Sequence, residues 1–529
     1  MFRPMDHQIS MDEAHFWMPV GHREELERSW PHIFRTQVLK MIPESAFAGL
    51  YHASLGRPNT PVAILVSLSV LKEMFDLTDE ALMASFRFDL RYHYALGVTP
   101  EETGMALRTL EYFRARVVGS EAVGATFKDV TDRIIKALGL NTGQQRHDST
   151  HFRSNMANLT RLGLFVQTLE HFLGALDKNS PEKHAALSEE MRQRYGKRNG
   201  RFADARSSEG RRRLETTATD LWFLVMRFRQ DDAVAGLPEF RLLERLLAEQ
   251  CRVEGDEDAV ILKEGKEIAS DSLQSPFDPD ASYDGYKGVG YQAQLSETCA
   301  SDNPIQVITH VEVEPAHRSD QHALLPALDD LEKREIAPEQ MFADTAYNSG
   351  DNLLAAAERG VDLMAPTPGK GDPNGIGLGH FELDLKKFRV VSCPEGAAPI
   401  RSRLGKDQMT RNLQFDPARC AACPLVDDCP AGRQGGRLRV HPRDIATAYS
   451  RAREESEPFK KAYAIRSGIE SANAELKTAH GFGKVWTRGL FRVTFAATMK
   501  VLACNVKRFI RYSCARLTED QPKLVEITA

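Results

Sequence analysis

The sequence predicts a multidomain α/β protein, in which a mixed sheet with flanking helices follows a helical amino-terminal region. At 529 residues, the chain is too long for one compact core and predicts roughly two to four folding units. Apolar residues recur at helical spacing before residue 140, whereas short strand-like runs alternate with helical patterns after it. Together, the length and this change of period set the predicted fold class.

The amino-terminal region, residues 1–140, is predicted to be helical throughout. Helical spacing of apolar residues is clearest over residues 61–75, 80–96 and 107–118. The cations of the region include Arg87, Arg91, Arg108, Arg114 and Arg116. A helical bundle that reads DNA fits this pattern, and a bundle that serves packing or dimerisation fits it nearly as well.

The predicted mixed sheet begins with a short extended segment that leads to Asp148. Further strands are predicted at 291–297, 305–313, 340–344 and 362–365, with helices at 321–335 and 350–359. The resulting order is three strands, helix, strand, helix, strand. Long helical patterns between 156 and 250 predict a large helical insertion before the sheet resumes.

Two aspartates are predicted to lie at the ends of strands. Asp148 lies at the exit of a short extended segment, and Asp344 directly follows a short apolar stretch. A buried strand that ends in aspartate commonly places a functional carboxylate at the carboxyl edge of a sheet. We hypothesise that Asp148, Asp344 and Glu470 converge on two divalent metal ions. Hard cations such as Mg²⁺ prefer carboxylate oxygens, and a pair about 3.5–4 Å apart activates one oxygen and stabilises the leaving one. Taken singly, each aspartate also fits an Asx turn or a cap.

A four-residue pattern near the carboxyl end predicts an amphipathic helix. Its members are Tyr463, Arg466, Glu470 and Lys477. On an α-helix they would share one stripe about 60° wide. A separate apolar stripe is formed by Ile465, Ile469, Ala472 and Leu476. One face can therefore pack while the other presents a carboxylate, a phenol and two cations. Glu475 is a rival third carboxylate, but it would point away from the Glu470 stripe. The alternative is a solvated charged face.

Four of the eight cysteines crowd into one segment: Cys393, Cys420, Cys423 and Cys429. In a reducing compartment, four such thiolates typically form a closed tetrahedral Zn²⁺ site. The alternative is a small loop-rich subdomain with free thiols. The glycine-rich stretch 366–379 is predicted to be a flexible linker, since the P-loop lysine pattern is missing.

The net charge of −5 hides two basic segments. Residues 477–516 contain nine Lys or Arg and no Asp or Glu, and residues 192–213 contain nine basic and two acidic residues. Such segments fit local phosphate contacts, although solvated helix faces are the alternative for 192–213.

The first twenty residues lack the apolar core of a signal peptide, and the apolar run at 62–71 is too short to cross a membrane. We therefore expect a cytoplasmic protein without a membrane partner.

In this order and spacing, the motifs resemble those of the DDE transposases of bacterial insertion sequences, the cut-and-paste group with a Tyr-Arg-Glu-Lys signature helix. The resemblance rests on that helix, on Asp-Ser-Thr at 148–150 and on Ala-Asp-Thr-Ala-Tyr at 343–347. It extends to Ser-Pro-Phe-Asp-Pro-Asp-Ala at 275–281 and Gly-Val-Gly-Tyr-Gln at 288–292. It covers roughly residues 10–515 in motif order and is loose between 155 and 275.

The resemblance implies a ribonuclease-H-like catalytic domain in which Asp148, Asp344 and Glu470 bind two Mg²⁺ or Mn²⁺ ions. The residues that would contact the DNA backbone near the transposon end are Tyr463, Arg466 and Lys477. The implied reaction is hydrolysis at the element's ends, followed by attack of the freed 3′ hydroxyl on target DNA. The implied partners are double-stranded terminal inverted repeats and target DNA, bound by a homodimer at the bacterial nucleoid.

The predicted organisation has five segments. They are a helical segment at 1–140, a first catalytic segment at 141–368 with an insertion at about 156–275, a Cys-rich insertion at 369–442, a second catalytic segment with a basic helix at 443–516, and a tail at 517–529. Two alternatives to a transposase remain open. One is a catalytically inactive, transposase-derived DNA-binding protein, and the other is a ribonuclease-H-like nuclease that hydrolyses without joining.

Overall fold

The structure of the protein is a computed structural model that describes residues 1–6, 8, 11–56, 58–196, 209–254, 259–369, 375–385 and 387–519. Most of the basic segment predicted at 192–213 lies outside the described residues, as do the middle of the predicted linker and nearly all of the tail. The fold is a mixed α/β arrangement with one curled mixed sheet, which confirms the predicted fold class.

The amino-terminal region is helical, as predicted. Its described α-helices are α1 (Val20–Glu27), α2 (Trp30–Ile33), α3 (Leu39–Met41), α4 (Val62–Met74), α5 (Asp79–Phe88), α6 (Leu90–Leu96), α7 (Leu107–Val117) and α8 (Ala122–Leu138). The prediction of one helix over 80–96 is wrong, because Asp89 adopts an extended conformation and its side chain accepts a hydrogen bond from the Arg91 N–H. Asp89 therefore ends α5 and caps α6.

The sheet begins with β1 (Gln144–Phe152), and the predicted insertion follows it. The insertion contains α9 (Arg161–Asn179), α10 (Pro181–Ala185), α11 (Glu189–Arg194), α12 (Gly210–Phe228), α13 (Asp232–Ala235), α14 (Pro238–Gln250), β2 (Cys251–Glu254) and β3 (Ala259–Leu262). Its helices enclose a separate apolar core that includes Phe165, Phe172 and Phe240. The β2–β3 hairpin was not predicted from the sequence.

The chain then completes the sheet. The elements are β4 (Ser282–Asp284), β5 (Gly288–Thr298), β6 (Ile308–Pro315), α15 (Leu324–Lys333), β7 (Gln340–Phe342), α16 (Gly350–Glu358) and β8 (Asp362–Met364). The strand order is β6-β5-β1-β7-β8, and β4 pairs with the start of β5. β5 runs antiparallel to β1, whereas β7 is parallel to β1 and β8 is parallel to β7. The predicted succession of strands and helices is confirmed.

A second small sheet lies in the Cys-rich segment. Its elements are β9 (Glu382–Asp384), β10 (Arg389–Ser392), β11 (Arg401–Leu404), β12 (Arg411–Gln414), α17 (Pro417–Ala421) and β13 (Arg437–Val440). β11, β12 and β13 form an antiparallel sheet, and β9 pairs with β10. The core of this segment is small and centres on Phe381, Phe415 and Leu438.

Four helices close the chain: α18 (Pro442–Glu454), α19 (Glu457–Tyr463), α20 (Gly468–Ala479) and α21 (Leu490–Glu519). The prediction of one continuous helix through residues 463–477 is wrong, because a 3₁₀ turn at Ala464–Ser467 separates α19 from α20. Arg146 occupies this break and donates a hydrogen bond to the Ile465 carbonyl at 3.1 Å. A Cβ at Gly468 would lie 1.8 Å from Nη1 of Arg146, so any side chain there requires the Arg146 guanidinium to move.

One apolar core joins the amino-terminal helices, the sheet and α21. α21 packs against α4, α8 and β6. The Asn505 side chain accepts a hydrogen bond from the Ile308 N–H and donates one to the Ile308 carbonyl, both at 2.8 Å. The helical region therefore supports the sheet directly through α21. Among the residues that the structure describes, no helix has the length and apolar character needed to cross a bilayer.

We expect Gly468→Ala to destabilise the protein by about 1–3 kcal/mol, because the added methyl group would displace the Arg146 guanidinium. Urea unfolding of the variant and the unchanged protein measures the difference. Gly174→Ala in α9 is the matched control, since a Cβ there meets no atom within 4 Å. That control should be neutral or slightly stabilising. Equal stability of the two alanine variants would contradict the packing argument.

Candidate functional site

The register of two parallel strands brings Asp148 and Asp344 side by side. Gln144 pairs with Gln340, and Arg146 pairs with Phe342. Asp148 and Asp344 each lie two residues beyond that last pair, and neighbouring strands are about 4.8 Å apart. The sequence predicted that Asp148 ends the first strand. That prediction is wrong, because β1 stays paired with β5 as far as Phe152.

The side chain of Asp344 does act as a cap. Its Oδ1 accepts a hydrogen bond from the Ala346 N–H at 2.8 Å, at the start of the 3₁₀ turn Thr345–Tyr347. The capping alternative therefore describes one of the two carboxylate oxygens. The other oxygen, Oδ2, faces Arg466.

Arg466 lies between all three predicted carboxylates. Its Nη2 is 3.1 Å from Oδ1 of Asp148 and 3.9 Å from Oδ2 of Asp344. Its Nη1 is 3.6 Å from Oε1 of Glu470. The fold thus brings together three acidic side chains that are far apart in the sequence, and it places one cation among them.

The three carboxylates differ in exposure. The side chain of Asp148 is 13% exposed, that of Asp344 is 38% exposed and that of Glu470 is 70% exposed. Burial raises the pKa of the Asp148 carboxyl to about 6, although Arg466 opposes this shift. The site is therefore open on the Glu470 side and closed behind Asp148. An additional cation beside Asp148 would stabilise its charged form.

Tyr463 and Lys477 have different neighbours at this centre. The Tyr463 hydroxyl donates a hydrogen bond to the Ala343 carbonyl at 3.0 Å, so the phenol ties the end of α19 to the strand end that carries Asp344. Burial lowers the pKa of the Lys477 ammonium, and the nearby Lys287 lowers it further. The charge of Asp148 opposes this shift in pKa, so Lys477 lies within electrostatic reach of both Lys287 and Asp148.

Lys287 and Asp320 are neighbours of the site that sequence reasoning missed. Lys287 Nζ is 3.1 Å from Oγ of Ser149, the residue after Asp148, and 3.9 Å from Oδ2 of Asp320. Ser149 in turn donates a hydrogen bond to Asp320 at 3.0 Å. The available signal for Lys287 was its place directly before the Gly-Val-Gly-Tyr-Gln run. Asp320 carried no such signal.

A buried ionic network holds α20 in place. Glu297 on β5 is within 2.7 Å of both Arg146 and Arg508. Nη2 of Arg508 also lies 2.8 Å from Oε2 of Glu475 on α20. Glu475, the rival third carboxylate, is therefore bound to Arg508, whereas Glu470 lies next to Arg466.

The four clustered cysteines line one small cavity of about 30 Å³ in the Cys-rich segment. All four are free thiols. The Ala397 N–H donates a hydrogen bond to Cys393 Sγ at 3.3 Å. Burial raises the pKa of Cys420, and the other three sulfurs raise it further. The chain thus brings together all four cysteines that the sequence singled out.

A second group of possible metal ligands consists of Glu475, His480 and Cys504, whose ligand atoms lie within 4.8 Å of one another. Glu475 is paired with Arg508, and burial raises the pKa of the Cys504 thiol to about 12. His480 Nδ1 is hydrogen bonded to the Glu73 carbonyl at 2.9 Å, so two of the three groups already have partners within the chain. We interpret this group as packing.

Four of the five arginines that the sequence named as cations of the amino-terminal region have partners that the structure describes, including Arg87, whose guanidinium lies 6.0 Å from the ring centroid of Phe88. Arg114 pairs with Asp79 at 2.7 Å, and Arg91 pairs with Asp89 at 2.7 Å. The guanidinium of Arg116 lies 4.6 Å from the ring centroid of Tyr51. These cations contribute to packing, and a DNA-reading role of the region stays a prediction.

We expect Arg466→Ala to destabilise the protein by about 1–3 kcal/mol in the presence of EDTA, because three carboxylates would lose their shared cation. Addition of Mg²⁺ or Mn²⁺ should restore much of the loss. Urea unfolding with and without metal measures both effects. Arg492→Ala, which removes an exposed arginine on α21, is the control. A stability of Arg466→Ala equal to that of the control would argue against an electrostatic role for Arg466.

Two family models match the chain. Residues 392–510 match the model described as Transposase DDE domain, and residues 24–116 match the model described as Transposase domain (DUF772). The first range contains Arg466, Glu470 and the four clustered cysteines, whereas Asp148 and Asp344 lie before it. No curated protein and no solved structure matches the chain. The two matches support an insertion-sequence DDE transposase.

Proposed function

We propose that the protein is the DNA transposase of an insertion sequence, which binds the element's ends and catalyses metal-dependent strand cleavage and strand transfer. The observation that carries this proposal is the convergence of Asp148, Asp344 and Glu470 on Arg466, at the edge of a ribonuclease-H-like sheet. The transposase family matches at residues 24–116 and 392–510 support the same assignment.

The donor set fits hard divalent cations. All three side chains offer carboxylate oxygens. Burial raises the pKa of Asp148, and a metal cation beside it would stabilise its charged form. Two Mg²⁺ or Mn²⁺ ions held by Asp148, Asp344 and Glu470 would neutralise charge on the reacting phosphate and activate the attacking oxygen. In the absence of metal, Arg466 balances part of the carboxylate charge.

The surrounding cations suit a DNA backbone. Arg466 can hold a phosphate through two parallel hydrogen bonds, because its guanidinium is planar, whereas Lys477 and Lys287 act as point charges. Tyr463 holds α19 against the end of β7 through its bond to Ala343, so it positions Arg466. The chain's own residues would thus bind and orient phosphate beside the carboxylates.

The proposed partners are the terminal inverted repeats and target DNA, in the bacterial cytoplasm. Two element ends must meet for excision, so we propose a homodimer on DNA. Both alternatives differ from this proposal in activity. An inactive derivative binds the ends without cutting them, and a simple nuclease cuts without joining.

We expect Asp148→Asn, Asp344→Asn and Glu470→Gln each to lower end cleavage at least 100-fold, on the order of the loss of a key electrostatic group. Binding of the ends should stay measurable, because the phosphate-binding cations remain. The substrate is duplex DNA from the sequences that flank the gene, incubated with Mg²⁺ or Mn²⁺ and analysed on a denaturing gel.

Glu457→Gln is the matched control, because Glu457 is an exposed carboxylate on the neighbouring α19. Cleavage by Asp344→Asn at the control rate would refute the assignment. A precleaved 3′ hydroxyl end then tests joining to target DNA. Cleavage without joining would favour the nuclease alternative, and binding without cleavage by the unchanged protein would favour the inactive derivative.

We also propose that Cys393, Cys420, Cys423 and Cys429 hold a structural Zn²⁺. Four free thiols line one cavity, and a backbone N–H already donates to the sulfur of Cys393. The surrounding apolar core is small, and small cores usually need a metal or a disulfide for stability. The metal would stabilise the Cys-rich segment without entering the carboxylate site.

We expect the purified protein to contain about one zinc per chain and to lose it in Cys420→Ser and Cys429→Ser. Elemental analysis after gel filtration measures the metal content. Cys504→Ser is the discriminating control, since Cys504 belongs to the alternative ligand group with Glu475 and His480. Loss of zinc only in Cys504→Ser would show that the zinc is bound by the group of Glu475, His480 and Cys504 instead. A zinc-free protein from zinc-supplemented cells would contradict the proposal.

A further inference from the structure

The three-stranded sheet of the Cys-rich segment, β11-β12-β13, has one buried face and one face that points to solvent. Leu413, Leu438 and Val440 are buried and belong to the small apolar core of the segment. Side chains alternate between the two faces of a sheet, so the residues between and beside these three point outward.

The outward face carries four exposed arginines, which we call the arginine face: Arg401, Arg403, Arg437 and Arg439. Residues that pair directly across neighbouring strands share a face. Asn412 pairs with Arg403 on one side and with Arg439 on the other, which forms one row. Gln414 lies in the same way between the other two arginines, which forms the second row. The register therefore gathers four cations that lie up to 38 positions apart in the sequence.

The arginine face lacks acidic partners. Its three strands contain five arginines and no Asp or Glu. Within the part of the chain that the structure describes, none of the four has a carboxylate within 4 Å. Asp407, within electrostatic reach of Arg439, accepts hydrogen bonds from Thr410. Asp444, which lines a cavity with Arg439, accepts one from the His441 N–H and so caps α18.

The spacing of the four cations suits a phosphate backbone. The two arginines of β11 are two residues apart, and so are those of β13, which separates each pair by about 7 Å. This distance is comparable to that between successive phosphates of one nucleic-acid strand. β11 and β13 flank β12, so the two pairs are about 10 Å apart at the backbone. Each guanidinium can hold a phosphate through two parallel hydrogen bonds.

The composition of the outward face decides which partner it fits. The face consists of Arg, Asn and Gln only, whereas the centre of a protein–protein interface is depleted of charged residues. It offers no aromatic ring on which an unpaired base could stack. Contacts to the backbone of duplex nucleic acid need neither, because they depend on cations and polar donors.

We propose that the arginine face binds the phosphate backbone of duplex DNA independently of base sequence. This inference rests on the proposed function, which makes DNA the nucleic acid concerned. Phosphate contacts carry no sequence information, so the face would hold target DNA or DNA that flanks the element as well as the ends themselves. The Cys-rich segment would thereby add a DNA contact of its own, separate from the carboxylate site.

The test uses the full chain and a fluorescein-labelled duplex of about 20 base pairs and arbitrary sequence, with binding followed by anisotropy in EDTA. We expect Arg401→Gln/Arg403→Gln and Arg437→Gln/Arg439→Gln each to weaken binding about 10-fold at 100 mM salt. Each pair should also lower the slope of log affinity against log salt by about two, since each lost phosphate contact removes about 0.9. A second duplex of unrelated sequence should give the same losses.

Arg389→Gln/Arg419→Gln is the matched control, because it removes the same charge from the same segment outside the arginine face. Arg389 is 3.0 Å from Asp384, and Arg419 donates to the Glu395 carbonyl at 3.2 Å. The control should keep its salt slope. Arg401→Lys/Arg403→Lys should also keep the slope, because lysine retains the charge, and this variant separates loss of charge from a disturbed fold.

An unchanged salt slope in both glutamine pairs overturns the proposal, as does an equal loss in the control. A greater loss for duplex RNA than for duplex DNA would assign the face to RNA and also overturn it. The assay needs neither metal, element ends nor cleavage. A loss confined to the arginine face in a protein that never cuts DNA would therefore refute the proposed function alone, and normal end cleavage with an unchanged slope would refute this inference alone.

Discussion

A buried chain of ionic contacts among Arg146, Glu297, Arg508 and Glu475 sets the geometry of the whole site. It links β1, β5, α21 and α20, which also share the main apolar core. Removing one partner would leave a buried charge unpaired, and such a charge is costly. The same Arg146 binds the Ile465 carbonyl and fills the space at Gly468. Arg466 and Glu470 therefore face the two aspartates because of a contact made behind them.

The site itself is electrostatically incomplete. Three carboxylates share Arg466, so the local formal charge remains negative. Asp148 is mostly buried, and burial raises its pKa to about 6. Divalent metal ions would pair with the three carboxylates. The phosphates of DNA would pair with the neighbouring cations. Lys287, which contacts Ser149, and Lys477 supply further positive charge near Asp148.

Much of the fold follows from local patterns. The strands and helices between residues 288 and 364 match their predicted order, because short apolar or strand-like runs alternate with helical patterns there. The apolar stripe of Ile469, Ala472 and Leu476 is buried, as predicted. The strands of the Cys-rich segment and the β2–β3 hairpin escaped prediction, since each has only three or four residues. The helix break at Asp89, between α5 and α6, was not predicted for a different reason. The apolar residues keep helical spacing across it, but the Asp89 side chain bonds the backbone and caps α6 instead.

The sequence by itself determined the α/β fold class and the crowding of four cysteines into one segment, because periodicity and spacing are local properties, whereas the three acidic site residues stay a prediction. Tertiary structure alone decided the break between α19 and α20, the pairing of Glu475 with Arg508, and the approach of Lys287 and Asp320 to Asp148. Each of these depends on contacts between residues that are distant in the chain, such as Arg146 with Ile465. No local pattern encodes which distant side chain fills a given space, and the fold makes that choice through packing and charge.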